Sequence, residues 1–182
     1  MFTQQTRGAV RVEGLGPVTV EQAVDLLRHC HVRVTPVVDL HASSTADGHE
    51  VTGRIREIVE LRSPIEVFPF GTRSSRRADK DHITAYVPLD EGRPPGQTAP
   101  SNLGPLGRYH HRLKTFGGWR YLQVRPGVFC WRSPHGHWAR VDATGTHHLG
   151  RDPTRAKLVG GSLLEEHVRT VIAGHAGPRI GH

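Results

Sequence analysis

Cysteine is almost missing from this chain of 182 residues: there are two, Cys30 and Cys130, far apart. So few, so placed, exclude a disulfide framework and a zinc site built on cysteine pairs. Long apolar runs are missing too. None approaches the roughly 18 residues that a membrane-spanning helix needs. The opening "MFTQQTRGAV" has no apolar stretch of the kind a secretory signal carries. These absences predict a soluble, cytoplasmic protein with no membrane partner. Aromatic residues make up 6% and hydrophobic residues 36% of the chain. That supports one domain, or one domain with an appendage, whose core takes in only part of the residues.

Positive charge is what the chain has in excess. The formal net charge is +7, and only 3 of the 24 basic side chains are lysine. Such a balance favours anionic partners, nucleic acid first. Arginine's planar fork suits phosphate oxygens, although the same arginine bias, with many Gly, Pro and Ala, also fits GC-rich coding.

Along the chain, residues 1–18 read as irregular. Thr19 and Gln22 form a capping box for a helix through Arg28 with Ala23, Leu26 and Leu27 on its apolar face. "VRVTPVVDL" (Val32 to Leu40) reads as a strand, and "RIREIVELR" (Arg54 to Arg62) as a helix. Arg73 to Lys80 reads as a charged loop, "HITAYV" as a short strand and "PLDEGRPPGQTAPS" as a loop. Asn102 opens "NLGPLGRYHHRLK", which reads as a helix from Leu103 to Lys114 that "FGG" ends. "WRYLQV", "VFCWRS" and "WARVDA" predict a three-stranded antiparallel meander. Ser162 and Glu165 cap a last helix, "LLEEHVRTVIA".

Three pieces carry candidate chemistry: Asp81 and His82 at a strand, Asn102 twenty residues on, and His110 with His111 in a helix. A carboxylate and an imidazole are suitable ligands for a divalent ion. A second imidazole beside them can take a proton from water near neutral pH. Hydrolysis of a phosphodiester needs both parts.

"DH…NL…L…HH..K" resembles the signature of HNH endonucleases, whose fold is a ββα-metal finger. "VFPFGTRSSRRADKDH", "PPGQT", "NLGPLGRYHHRLKTFGGW" and "PGVFCWRSPHG" together resemble the C-terminal part of a bacterial repeat family in which an HNH domain follows a domain of unknown function. The resemblance is close from Ile65 to Leu149 and looser from Val12 to Arg62. It implies an α+β protein: a ββα-metal finger, then a small antiparallel β-meander, with flanking helices. Residues 1–62 would be a remnant of a preceding helical or mixed domain, 63–150 the nuclease-like domain, and 151–182 a tail with one helix. The chain would then be a short family member or a fragment.

The implied activity is metal-dependent cleavage of DNA, with a catalytically inactive nucleic-acid-binding module as the alternative. His82 matches the general base. Asp81 and His111 match the ligands of one divalent ion, magnesium or manganese. Asn102 matches the asparagine that pins the loop and orients the base. Arg73, Arg76, Arg77, Lys80, Arg108, Arg112 and Lys114 surround these positions as candidate phosphate contacts.

Many relatives brace the finger with a structural zinc on two cysteine pairs. The matching positions here are Glu66, Gly71, Gly107 and His110, so no structural zinc is expected, and Phe68 and Phe70 are the candidates for an apolar brace. Asp79 shares a side with Asp81 in an extended chain. It reads either as a further ligand or as a solvated carboxylate paired with Arg77. His110 reads as structural or exposed, and His135, His137, His147 and His148 as solvent-facing turn residues. His29 and His31 flank Cys30 without further ligands at metal spacing. Trp119, Trp131 and Trp138 read first as core or sheet-face residues.

Overall fold

The computed structural model describes residues 10–12, 15–32, 44–92, 94–151, 170, 171 and 174. The chain divides into two units, Met1–Val37 and Val38–His182. In the first, strands β1 (Val10–Val12) and β2 (Gly16–Val18) pair antiparallel, Val10 opposite Val18. This short hairpin replaces the irregular stretch expected there. Helix α1 (Val20–Leu27) follows with the expected capping box: Thr19 Oγ1 accepts from Gln22 N at 3.2 Å, and Gln22 Oε1 accepts from Thr19 N at 2.9 Å. Of its apolar face, Ala23 is buried while Leu26 and Leu27 stay exposed. The strand expected from Val32 lies, past that residue, outside the described residues. So does the C-terminal helix, except for Thr170 and Val171, both helical.

In the second unit, helix α2 (Gly53–Arg62) forms as its periodicity predicts and buries Ile55, Ile58 and Val59. Ile55 and Val59 pack with Leu103, so α2 belongs with the elements C-terminal to it. The division between the units, at Val37 and Val38, precedes α2 in the chain.

Two expected elements change. Strand β3 is Asp79–His82, not "HITAYV", and it pairs antiparallel with β4, Leu103–Leu106, with Asp81 opposite Gly104 and His82 opposite Leu103. The helix expected from Leu103 therefore begins later, as α3 (Arg108–Phe116). All four residues of β4 are buried. Gly104 and Pro105 weaken a helix, and Pro105 O instead accepts from Val67 N at 2.9 Å.

The meander gains a strand. β5 (Arg120–Arg125), β6 (Val128–Arg132), β7 (Trp138–Asp142) and β8 (Gly145–Gly150) form one antiparallel sheet in chain order. His147 and His148 thus lie in a strand rather than a turn. Alternation puts Tyr121, Phe129, Trp131 and Val141 on one face, where they pack with Val67, Phe68 and Leu106. Trp131 and Tyr121 stack at 4.2 Å between ring centroids, and Trp131 Nε1 donates to Val67 O. Cys130, Trp138 and Leu149 form a second cluster. Burial pushes the Cys130 thiol up to about 12, which makes it inert packing. Helices with small antiparallel sheets make this an α+β fold. No described helix is long and apolar enough to cross a membrane.

Candidate functional site

Strand β3 ends in a cleft of about 460 Å³, which Asp81, His82, His111 and Lys114 line together with His49 and Tyr86. Asp79 and Asp81 share a side of β3, and α3 lays His111 against both. Asp79 Oδ2 is 3.1 Å from His111 Nδ1, and Asp81 Oδ1 is 3.0 Å from His111 Nε2. Each ring nitrogen thus faces one carboxylate. Asp81 is buried and well held. Tyr121 Oη donates to its Oδ2 at 2.9 Å, and Lys114 Nζ lies 3.2 and 3.1 Å from its two oxygens. The same ammonium donates to His82 O at 2.7 Å. Burial, then Asp81, raises the Tyr121 phenol well above its usual value, so it stays a donor.

Asp81 and His111, the two implied ligands, stand together in the cleft. Asp81 Oδ1 and His111 Nε2 are at direct hydrogen-bonding distance, and a carboxylate and an imidazole are donor types that a divalent ion accepts. Asp79 faces the opposite ring nitrogen, so it cannot share an ion with Nε2. It holds the His111 ring from the Nδ1 side. Its other neighbour is Arg108, at 3.4 Å, rather than Arg77. Among the described residues no three His, Cys, Asp or Glu side chains gather as a metal cage. A magnesium-like ion takes the balance of its shell from water and phosphate.

His82 is buried and has a defined tautomer. Its Nε2 is 2.9 Å from Thr98 Oγ1, which itself donates to Gly48 O at 2.6 Å. A hydroxyl has one proton to give. Nε2 therefore carries the ring hydrogen, and Nδ1 is the bare, basic nitrogen. Burial lowers the His82 pKa, as do His49 and Lys114, against the raising effect of Asp81. The ring is neutral at pH 7, the state a general base requires.

Asn102 does not touch the His82 ring. Its Oδ1 accepts from Thr84 N at 2.8 Å, and its Nδ2 donates to Thr84 O at 3.1 Å and to Gln97 O at 3.0 Å. It ties the segment leaving His82 to the one reaching Thr98.

The basic residues divide. Arg73, Arg76, Arg77, Arg108 and Arg112 are exposed. The Lys80 side chain is 4% exposed, and its ammonium meets Glu60 at 2.9 Å, Ser75 O at 2.6 Å and Ala78 O at 3.1 Å. Expected as a phosphate contact, Lys80 lines the cleft but turns its ammonium inward, onto Glu60 of α2. Lys114 lies inside the cleft on Asp81, not on an outer face.

The four positions matching a zinc site do converge, around a carboxylate. Glu66 Oε2 accepts from Gly107 N at 2.8 Å and lies 2.8 Å from His110 Nδ1, while Oε1 accepts from Arg73 N at 3.2 Å. A Cβ on Gly71 would stand 2.4 Å from Glu66 Cγ, and one on Gly107 2.8 Å from Oε2, so both glycines make room for this side chain. Burial works to raise the Glu66 pKa, but His110 and the two amides outweigh it and the net shift is downward. Phe68 contributes as expected, stacked on His110 at 4.1 Å. Phe70 does not: it is 67% exposed at φ 60°, with its amide donating to Thr146 Oγ1.

Sequence reading missed His49, Thr98 and Tyr121. Thr98 stands in "PPGQT", where composition shows only a loop, and His49 and Tyr121 reach the site from elements remote in sequence.

Over 87 residues the chain is 38% identical to the uncharacterized protein Rv3776 of Mycobacterium tuberculosis, and 36% identical to the uncharacterized protein Rv2100 of the same organism. The match takes in 47% of this chain but only 15% and 14% of those relatives' lengths. No family model and no solved structure matches the chain.

Proposed function

We propose that this chain is a cytoplasmic, metal-dependent endonuclease of the HNH kind, hydrolysing phosphodiester bonds of DNA. One observation carries the reading. Asp81 Oδ1 and His111 Nε2 stand 3.0 Å apart in the cleft that also holds a buried, neutral His82 with Nδ1 free. The order β3, β4, α3 accords with a ββα-metal finger.

In this reading His82 Nδ1 takes the proton from the attacking water, while Thr98 fixes the opposite nitrogen. Asp81 and His111 would hold magnesium or manganese, which supplies positive charge at the scissile phosphate and the leaving oxygen. Tyr121 and Lys114 keep the Asp81 carboxylate in place. Asn102 holds the segments on either side of the base. The exposed arginines Arg73, Arg76, Arg77, Arg108 and Arg112 would meet flanking phosphates without reading bases.

The test is relaxation or linearisation of a supercoiled plasmid with magnesium or manganese, and its suppression by a chelator. An intact plasmid at micromolar protein, with DNA retained in a gel shift, would reject the nuclease and leave a finger that grips without cutting. Asp79 gives a separate prediction. Asp79→Ala is expected to weaken manganese binding about 10- to 100-fold, read by titration calorimetry without DNA. Unchanged affinity would remove Asp79 from the site.

A further inference from the structure

The cleft at His82 continues into another. Ala85, Lys114 and Thr115 also line a second cleft, of about 590 Å³, whose far wall is the four-stranded sheet. On that wall Arg120 of β5 stands directly opposite Arg132 of β6, and Trp138 of β7 is next in the row. Like charges at a directly opposed cross-strand position repel. Arg120 and Arg132 are both exposed, and neither guanidinium has an ion-pair or hydrogen-bond partner among the described residues. Arg140, in the same sheet, has Asp142 at 2.9 Å. Folding gains nothing from two opposed, uncompensated cations, and neither belongs to the basic set that the sequence pointed to.

We propose that Arg120 and Arg132 form a phosphate-binding subsite that holds the DNA strand beside the bond to be cut. Directly opposed side chains start about 5 Å apart at Cβ, so two guanidinium forks can close on one phosphate or on neighbours along one strand. Continuity with the His82 cleft through Lys114 and Thr115 selects the occupant: an extended polyanion whose scissile phosphate lies in the first cleft. The proposal rests on the nuclease reading for its substrate.

The experiment is fluorescence anisotropy of a labelled DNA duplex in EDTA, titrated at several salt concentrations, for the wild type, the Arg120→Ala/Arg132→Ala double variant, and Arg125→Ala. Arg125 is exposed at the end of β5 and lines neither cleft. Each phosphate contact adds about 0.9 to the slope of log affinity against log salt. The double variant is expected to lose about 1 to 2 of that slope and to bind more weakly. Arg125→Ala should retain the wild-type slope. The melting temperature of the double variant should hold or rise, since a repulsion is removed. An unchanged slope in the double variant, where the wild type binds DNA and nicks plasmid with magnesium or manganese, would overturn the subsite alone. A wild type that neither binds nor nicks would overturn the nuclease reading with it. A melting temperature falling by several degrees would mark the pair as structural and overturn the proposal.

Discussion

His82→Ala is expected to abolish plasmid cleavage while leaving DNA affinity within about twofold. A positioned general base contributes about 10²- to 10⁴-fold, which brings a slow nuclease to background. The variant should still fold. The ring is buried, but it hydrogen-bonds to Thr98, whose hydroxyl keeps Gly48 O as a partner when the ring is gone. Cleavage at the wild-type rate would remove His82 as the base. The tautomer adds a second check. Thr98→Val deletes the hydroxyl that fixes Nε2–H, so it should lower the rate without matching the loss in His82→Ala. If Thr98→Val cleaves as fast as the wild type, the assignment of Nδ1 as the base loses its support.

The second large effect falls on stability. Glu66→Ala is expected to cost about 1–3 kcal/mol, the usual loss when buried hydrogen-bond donors are left without their acceptor, and to lower the melting temperature by on the order of 5 °C. The Glu66 carboxylate serves the amides of Gly107 and Arg73 as well as His110 Nδ1. Deleting it strands those groups where Gly71 and Gly107 leave no filling side chain. Glu66→Gln keeps an acceptor but loses the charge and should fall between.

The pH dependence has a definite sign. The folded pKa of Glu66 is depressed. Its contribution is complete above the ordinary carboxyl range and is lost as pH falls through the folded value. The stability gap between wild type and Glu66→Gln should therefore be widest near neutrality and close on acidification below about pH 4. A gap independent of pH would mean that the carboxylate's charge does not brace this corner. A tightly held zinc in the purified protein would mean the same, although a structural zinc takes four ligands and these positions offer only Glu66 and His110.

How far the sequence alone reached can be seen residue by residue. The capping box at Thr19, the helix at Arg54 to Arg62 and the β-rich runs after Trp119 were legible because hydrogen-bonding and burial periods are local. Asp81, His82, Asn102, His110 and His111 were legible as candidates by residue type and order. β3 and β4 were not. "DKDH" looks too charged for a strand, and "LGPL" looks like the start of a helix. Each forms because the other supplies its ladder, with Glu60 neutralising Lys80 and His111 facing both aspartates. That pairing also resolved Asp79, which strand alternation put beside Asp81 but could not give a partner.

What the sequence determined by itself was the composition of the site: an imidazole, a carboxylate and a basic surround, with no cysteine left for a zinc corner. Tertiary structure alone decided which nitrogen of His82 is bare, which lysine is internal, and what stands where cysteines could have stood. Those outcomes depend on Thr98, Glu60 and Glu66. Each lies at least sixteen residues from its partner in the hydrogen bond or ion pair that matters. No local pattern encodes such contacts, because they appear only when packing closes the chain on itself.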